Sequence, residues 1–224
     1  MISLYLLTSD LMDNFDILRT LKFLPGIILG LTVHEFSHAF VAHRCGDSTS
    51  RDQGRVTLNP LKHIDPLGFI MLLFAGFGWA KPVEFNEQNL RNPKTDTLKI
   101  AFSGPASNAL FAMLLSIVFV IIYKSFNINY YSAATEVFIY AIYINWGLFI
   151  FNLLPVPPLD GSHLLLAFFK KYPVLYNGLY RYGSYLFLAV IILSLVSSIN
   201  LLPIWPLVQF LGNGFLSLLG FGSL

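Results

Sequence analysis

Long apolar stretches, separated by short polar segments, dominate the sequence. Four of them carry at most one charged residue and are 20 or more residues long, about the length that an α-helix needs to cross a bilayer. They cover residues 23–42, 100–123, 133–154 and 182–202. The pattern therefore predicts four membrane-spanning helices.

Two further apolar segments fit this pattern less well. Residues 66–80 (PLGFIMLLFAGFGWA) contain three glycines and are short for a crossing, which favours a re-entrant or hairpin segment packed against protein. Residues 206–224 are glycine-rich and are separated from the preceding stretch by Pro203 and Pro206, so they either span or lie against the bundle. With no repeats or flexible linkers, residues 1–224 are expected to form one domain, an all-α polytopic bundle of about four to six membrane segments with a short re-entrant or β-hairpin element.

Composition supports a membrane protein and argues against a nucleic-acid-binding protein and a cysteine-rich protein. Hydrophobic residues make up 55% of the chain and charged residues 12%, against about 25% charged in an average soluble domain. The net charge of +2 is too small for a nucleic-acid-binding surface, so the expected surroundings are the lipid bilayer and not nucleic acid. Cys45 is the single cysteine, which excludes an internal disulfide and a multi-cysteine metal site.

The basic residues predict the orientation, because lysine and arginine collect on the cytoplasmic side of membrane proteins. If 66–80 dips in and returns while the other stretches cross, Arg19, Lys22 and Lys124 lie on one side. The remaining eleven basic residues share the opposite side: Arg44, Arg51, Arg55, Lys62, Lys81, Arg91, Lys94, Lys99, Lys170, Lys171 and Arg181. A multi-pass protein of the cell membrane is expected, with this eleven-residue side in the cytoplasm.

Three ionisable residues lie inside the first apolar stretch, in the segment HEFSH. Such groups are costly in a membrane and mark functional sites. On a helix, His34 and His38 are separated by about one turn and can bind one tetrahedral Zn²⁺, while Glu35 lies beside the metal and can take a proton from the attacking water. The alternative is a pair of buried histidines that only bond neighbouring helices. The HEFSH helix ends at the basic side, so the site is expected to open towards the cytoplasm.

A catalytic zinc site needs a third protein ligand. Asp160, in FNLLPVPPLDGSH (151–163), is the acid most embedded in apolar sequence, and the prolines before it end a helix and let a turn present the carboxylate inside the bundle. The alternative is that Asp160 only caps a helix that begins near Gly161. On these residues alone the two interpretations are equally supported. His163 is a weaker candidate for a supporting contact.

Several of these segments resemble one family, the site-2 proteases, which are zinc intramembrane metalloproteases. HEFSH resembles their HExxH, and PVPPLDG preceded by Asn152 resembles their Asn-x-x-Pro-x-x-Pro-x-Asp-Gly element. FSGPASN, which ends at Asn108, is similar to their Gly-Pro-x-x-Asn segment. GRVTLNPLKHIDPLG (54–68) and GWAKPVEFN (78–86) resemble loops of the short bacterial and archaeal subgroup, which has neither PDZ nor CBS modules.

The resemblance implies a set of roles. His34, His38 and Asp160 would ligate one Zn²⁺ per chain, with Glu35 as general base. Asn152 would sit near the metal and hold the scissile carbonyl or the developing oxyanion. The expected function is zinc-dependent endopeptidase activity on membrane-protein substrates that have a transmembrane helix, cut in or near that helix.

Two other functions remain compatible with the residues. A proton-coupled transporter would use the His and Glu cluster as a relay, and a non-haem iron enzyme would use two histidines and a carboxylate as ligands. The role of Asn108 is also open between a site contact and close helix packing beside a Gly-Pro kink.

Overall fold

The computed structural model of the protein describes residues 17–75, 78–163, 172–197 and 202–221. The regular elements in these ranges are helices, including two 3₁₀ turns at Pro60–Lys62 and Glu87–Asn89. The helices in chain order are α1 (Ile17–Arg44), α2 (Thr49–Asp52), α3 (Pro66–Ala75), α4 (Pro93–Phe126), α5 (Ala133–Asn152), α6 (Pro173–Ser197) and α7 (Trp205–Leu218).

Three of these helices are long and apolar enough to cross a membrane: α1 from Thr20 onwards, α4 and α5. They contain the predicted stretches 23–42 and 100–123 and nearly all of 133–154. At 34 residues, α4 is about 51 Å long and exceeds the roughly 30 Å hydrocarbon layer. The fourth stretch, 182–202, lies in α6 as far as Ser197, and most of the remainder falls outside the described residues.

The two shorter apolar segments form short helices. Helix α3 has 10 residues and is too short to cross a bilayer, as expected for residues 66–80. The alternative prediction is a β-hairpin. The described residues contain one antiparallel bridge, between Ile64 and Ala80, and no β-strands. Helix α7 has 14 residues, about 21 Å, and buries Val208 and Leu216 in the bundle core. It therefore packs against the bundle through these two residues.

Helices α1, α4 and α5 pack against one another, with α1 and α5 running in the same direction. Lys22 near the start of α1 pairs with Glu136 in the first turn of α5. Eight residues beyond Lys22, Gly30 still faces α5. A Cβ atom on Gly26 would lie 2.6 Å from the Cα of Ala141, so glycine permits the close approach of the two helices. The C-terminal ends of α1 and α5 consequently lie at the same end of the bundle.

The outer face of α4 is apolar and exposed. Leu110, Leu114, Ile117 and Ile121 follow one another at helical spacing and are 39–66% exposed. The opposite face of the same helix buries small and polar residues such as Ala112 and Ser116. An apolar stripe of this kind is suited to lipid, since a water-exposed surface of this size would favour aggregation.

The polar segment between α1 and α4 folds over the end of the bundle where α1 terminates. Asp47 is fully buried there and accepts hydrogen bonds from Thr49, from the backbone N–H of Asn86 and from the side chain of Asn89. The backbone N–H of Arg91 donates to the carbonyl of Cys45 at 3.0 Å. These bonds hold residues 86–91 close to residues 45–49, directly after the end of α1.

Candidate metal centre

The two histidines of HEFSH lie one turn apart on α1 and aim at the same point. Their Nε2 atoms are 3.0 Å apart, and both side chains are at least nine-tenths buried. The Nδ1 atom of His38 donates to the carbonyl of Ile100 at 2.7 Å, and the Nδ1 atom of His34 lies 2.7 Å from the Oδ1 atom of Asn108. A neutral imidazole has one N–H. Both Nε2 atoms therefore present lone pairs.

Asp160 completes the cluster from the other end of the chain. Its Oδ2 atom lies 3.1 Å from Nε2 of His34 and 3.3 Å from Nε2 of His38. The same Oδ2 atom is buried and has no hydrogen-bond partner. Asp160 also directly precedes the helical residues 161–163. The residue thus occupies the position expected of a helix cap while its carboxylate faces the histidines, so the two sequence interpretations do not exclude each other.

Three electron-pair donors within 3.0–3.3 Å of one another, without a proton between them, repel unless a cation lies among them. With Zn–N and Zn–O distances of about 2.0–2.2 Å, two ligands of a tetrahedral zinc ion are about 3.3–3.6 Å apart. A Cβ atom on Gly104 of α4 would lie 2.4 Å from Nε2 of His38, so glycine keeps this space open. The residues present therefore fit a zinc ion with two nitrogen ligands and one oxygen ligand.

Glu35 is positioned from the segment that follows α3. Its Oε2 atom accepts a hydrogen bond from the backbone N–H of Val83 at 2.9 Å and lies 4.0 Å from Nη2 of Arg55. Arg55 is itself buried and donates to the carbonyl of Lys81. Lys81 in turn donates its backbone N–H to the carbonyl of His63 at 2.7 Å. Glu35, next to His34 on the same helix, is thereby held by a wall formed by residues 81–83.

Asn152 is not brought into the cluster by any hydrogen bond that the structure shows. Its Nδ2 atom donates to the carbonyl of Leu148, one turn earlier in α5. Asn108, by contrast, contacts His34 directly and is fully buried. The alternative in which Asn108 contacts the site, rather than only packing against a helix, therefore has structural support. The role of Asn152 stays a prediction.

Two residues near the cluster were missed by sequence reasoning. Asn145 is fully buried in α5 and bonds Asn108, and Arg55 is buried beside Glu35. A signal existed for Asn145, because it is an amide inside an otherwise apolar stretch. Arg55 gave no such signal, since it lies in a polar loop and was counted only as a basic residue.

His63 contacts the same wall, since its backbone carbonyl accepts from the N–H of Lys81. Its side chain is 1% exposed and its Nε2 atom lies 2.8 Å from the carbonyl of Thr57, to which it donates. Burial lowers the pKa of His63, and the nearby Arg55 lowers it further. A neutral His63 that holds the loop together fits a structural role for this residue.

Comparisons with known proteins point to one family. The sequence profile of peptidase family M50 matches residues 120–174. YwhC of Bacillus subtilis, named as a candidate zinc metalloprotease, is 34% identical over 187 residues, covering 82% of this chain and 84% of YwhC. Rip2 of Mycolicibacterium smegmatis, with the same description, is 28% identical over 186 residues, covering 79% of this chain and 68% of Rip2.

A similar protein also occurs in an archaeon. MJ0611 of Methanocaldococcus jannaschii, again named as a candidate zinc metalloprotease, is 30% identical over 153 residues, covering 68% of this chain and 73% of MJ0611. No solved structure shows a significant match to the chain.

Proposed function

Because this chain belongs to peptidase family M50, the site-2 proteases, and is a zinc metalloendopeptidase, we propose that it cleaves other membrane proteins. The expected cleavage sites lie in or near the transmembrane helices of those proteins, in keeping with the membrane helices of this chain. The observation that carries the proposal is the meeting of His34, His38 and Asp160 at 3.0–3.3 Å, with Glu35 adjacent on the same helix. Membership in a zinc-metalloprotease family argues against both the transporter and the iron enzyme.

In the proposed site, His34, His38 and Asp160 would hold the zinc ion. When bound, zinc supplies a Lewis acid that acidifies water and polarises the scissile carbonyl. Glu35 takes the proton from the attacking water onto its carboxylate and passes it to the nitrogen of the leaving amine. The hydrogen bond from Val83 fixes one carboxylate oxygen and so limits the orientations of this base.

Water reaches such a site along the side of Asp160. The side chain of Asp160 is 21% exposed, whereas those of His34 and His38 are 6% and 10% exposed. Asp160 follows the end of α5, and α1 terminates at the same end of the bundle. Both halves of the site therefore lie at the end of the bundle where the polar segment between α1 and α4 folds. That end is cytoplasmic if its basic residues, such as Arg51 and Lys81, orient the protein.

A substrate helix must unwind before its carbonyl can be attacked, because its carbonyls are engaged in helical hydrogen bonds. Residues 78–83 are not helical, contact Glu35 through the N–H of Val83, and already form one antiparallel bridge, between Ala80 and Ile64. Pairing of an extended peptide with this segment would bring a peptide carbonyl close to the base. The alternative is that the segment only shields the site. Asn152 is retained as the proposed contact for the scissile carbonyl or oxyanion.

The decisive experiment compares the Glu35→Gln variant with the unmodified protein during co-expression with tagged single-span membrane proteins. We expect Glu35→Gln to bind zinc normally, since the residue is not a ligand, and to lose about 10²–10⁴-fold of the cleavage rate. Glu87→Gln, which alters an exposed glutamate in a 3₁₀ turn, is the matched control and should cleave normally. Near-normal cleavage by Glu35→Gln would remove Glu35 from the mechanism, and the absence of Glu35-dependent cleavage of any membrane substrate would refute the proposed function.

A further inference from the structure

We propose that Asn145 is a positioning residue of the metal centre: acting through Asn108, it holds His34 in the tautomer whose Nε2 atom is free to ligate. The inference deepens the proposed function and rests on its assignment of His34 as a ligand. Asn145 lies on α5, Asn108 on α4 and His34 on α1, so the chain of hydrogen bonds crosses all three packed helices.

The orientation of the Asn145 amide is dictated by backbone carbonyls. Its Nδ2 atom lies 2.8 Å from the carbonyl oxygen of Ala141 and 3.4 Å from that of Gly26. A carbonyl oxygen can only accept, so the NH₂ group of Asn145 must face these two atoms. The Oδ1 atom of Asn145 then points away from them, towards Asn108. A Cβ atom on Gly30 would lie 2.8 Å from this Oδ1 atom, so α1 also packs directly against it.

The same reasoning fixes Asn108. Its Nδ2 atom donates to Oδ1 of Asn145 at 3.1 Å and to the carbonyl of Gly30 at 2.9 Å. Both N–H bonds of the amide are used, and Oδ1 is left facing Nδ1 of His34 at 2.7 Å. That nitrogen must carry the proton, and the neutral ring consequently leaves Nε2 bare. Asn108 and Asn145 are both 0% exposed, so bulk water does not compete for these bonds.

The two histidines differ in how they are held. The partner of His38 is the carbonyl of Ile100, a backbone atom that cannot change from acceptor to donor. The partner of His34 is a side-chain amide, which presents a donor instead of an acceptor if it rotates by half a turn. A rotated Asn108 would favour a proton on Nε2 of His34 and block ligation. Asn145 opposes this rotation, because the rotated amide would bring two acceptor oxygens together.

The competing explanation is that Asn145 only fastens α1 to α5 through the carbonyl of Gly26. The two explanations differ in how variants combine. If Asn145 acts through Asn108, replacing it should have little further effect once Asn108 has been replaced. If Asn145 acts through helix packing, its effect on the metal site should be the same in both backgrounds.

We therefore suggest measuring the zinc dissociation constant of the full chain by chelator competition for Asn108→Leu, Asn145→Leu and the double variant. Loss of a partner that orients a metal ligand costs about 10–100-fold in metal affinity, which is the change expected for Asn108→Leu. Asn145→Leu should weaken zinc binding by a smaller factor, because Asn108 retains the carbonyl of Gly30 as an acceptor. The double variant should match Asn108→Leu alone.

A spectroscopic readout separates positioning from stability. Nitrogen-15 NMR of the metal-free protein, labelled on histidine, should show His34 with its proton on Nδ1, and this signature should be reduced in Asn145→Leu and lost in Asn108→Leu. Ser116→Ala removes another fully buried polar group of α4, one whose hydrogen bond within the described ranges goes to the carbonyl of Ala112 in its own helix. This control should change neither the tautomer nor the zinc affinity.

Asn145→Asp provides a test if Asn145→Leu does not fold. A protonated aspartic acid can donate to the carbonyl of Ala141 and still accept from Asn108, so the tautomer and the zinc affinity should be preserved. Wild-type zinc affinity and tautomer in Asn145→Leu would overturn the inference. So would an undiminished effect of Asn145→Leu in the Asn108→Leu background, or equal losses in Asn145→Asp and Asn145→Leu. His34→Ala is measured in parallel: if it retains zinc, the proposed ligand set fails, whereas failure of the Asn145 variants alone refutes only this inference.

Discussion

Gly104 is the position in α4 where the addition of a single methyl group should disable the metal site. A Cβ atom at this residue would lie 2.4 Å from Nε2 and 2.6 Å from Cε1 of His38, and 2.7 Å from Cε1 of His34. Ordinary contacts of a Cβ atom begin near 3.4 Å, so in Gly104→Ala the His38 ring must move by about 1.0 Å and the His34 ring by about 0.7 Å. Neither ring can move alone, because Ile100 and Asn108 of the same helix hold their Nδ1 atoms.

The cost of this substitution can be estimated. Forcing an additional methyl group into a packed interior costs about 1–3 kcal/mol. If the strain is relieved by displacing the ligands, zinc affinity falls by about 5- to 140-fold, since 1.4 kcal/mol corresponds to a factor of ten. We expect a loss in this range for Gly104→Ala, measured by chelator competition on purified protein.

Gly147→Ala is the matched control for Gly104→Ala. Gly147 also lies inside a packed helix, α5, but a Cβ atom there meets nothing within 4 Å. Alanine is a better helix former than glycine by about 0.5–1 kcal/mol, so both variants share this small gain in stability and only Gly104→Ala has the clash. Wild-type zinc affinity in Gly104→Ala would refute the interpretation that α4 forms the wall of the metal site.

Three further predictions concern the ligands, the loop and the orientation. Alanine at any proposed ligand should lower zinc content, measured by elemental analysis, while His43→Ala on the same helix should not; full zinc in Asp160→Ala would leave the helix cap as the role of that residue. Burial raises the pKa of Asp47, but hydrogen bonds from Thr49, Asn89 and Asn86 outweigh it and hold the pKa below its usual value. The stability that Asp47 contributes is therefore complete above the unfolded pKa of about 4 and is lost as the pH falls through the folded pKa. The difference in unfolding free energy between wild type and Asp47→Asn should accordingly be constant from about pH 5 to 7 and shrink below about pH 4; a difference that grows on acidification would contradict this. For orientation, a cysteine at Leu61, which is 80% exposed, in a Cys45→Ala background should react with a membrane-impermeant reagent in inside-out vesicles and not in spheroplasts, and the reverse result would invert the topology.

Periodicity and spacing were sufficient to predict the helices that form the site and the meeting of His34 with His38. The reason is that both features are local: about 20 apolar residues predict a membrane helix, and two histidines four positions apart share one helical face. The choice of Asp160 as a ligand needed the resemblance to a family. An aspartate that follows a series of prolines is equally compatible with helix capping and with metal ligation.

Contacts between distant segments could not be predicted in this way. Cys45 is surrounded by polar residues in the sequence, which suggests exposure, yet it is 9% exposed because Leu90 and Ile100 pack over it. A probe of topology therefore cannot rely on the native thiol. The amide chain from Asn145 to His34 also depends on the packing of three helices, which no local pattern encodes.

If Glu35 is the general base, as proposed, its contact with Val83 links the rate of the reaction to the position of a backbone segment. Arg55 and His63 anchor that segment at Lys81, two residues before its N–H group meets the base. The proposed base therefore has a support outside its own helix. A substitution in the loop that shifts residues 81–83 by a fraction of an ångström would slow turnover without altering the metal or any group that touches the substrate. For that reason, the solvent exposure of a side chain in this loop is a poor guide to whether its substitution would affect activity.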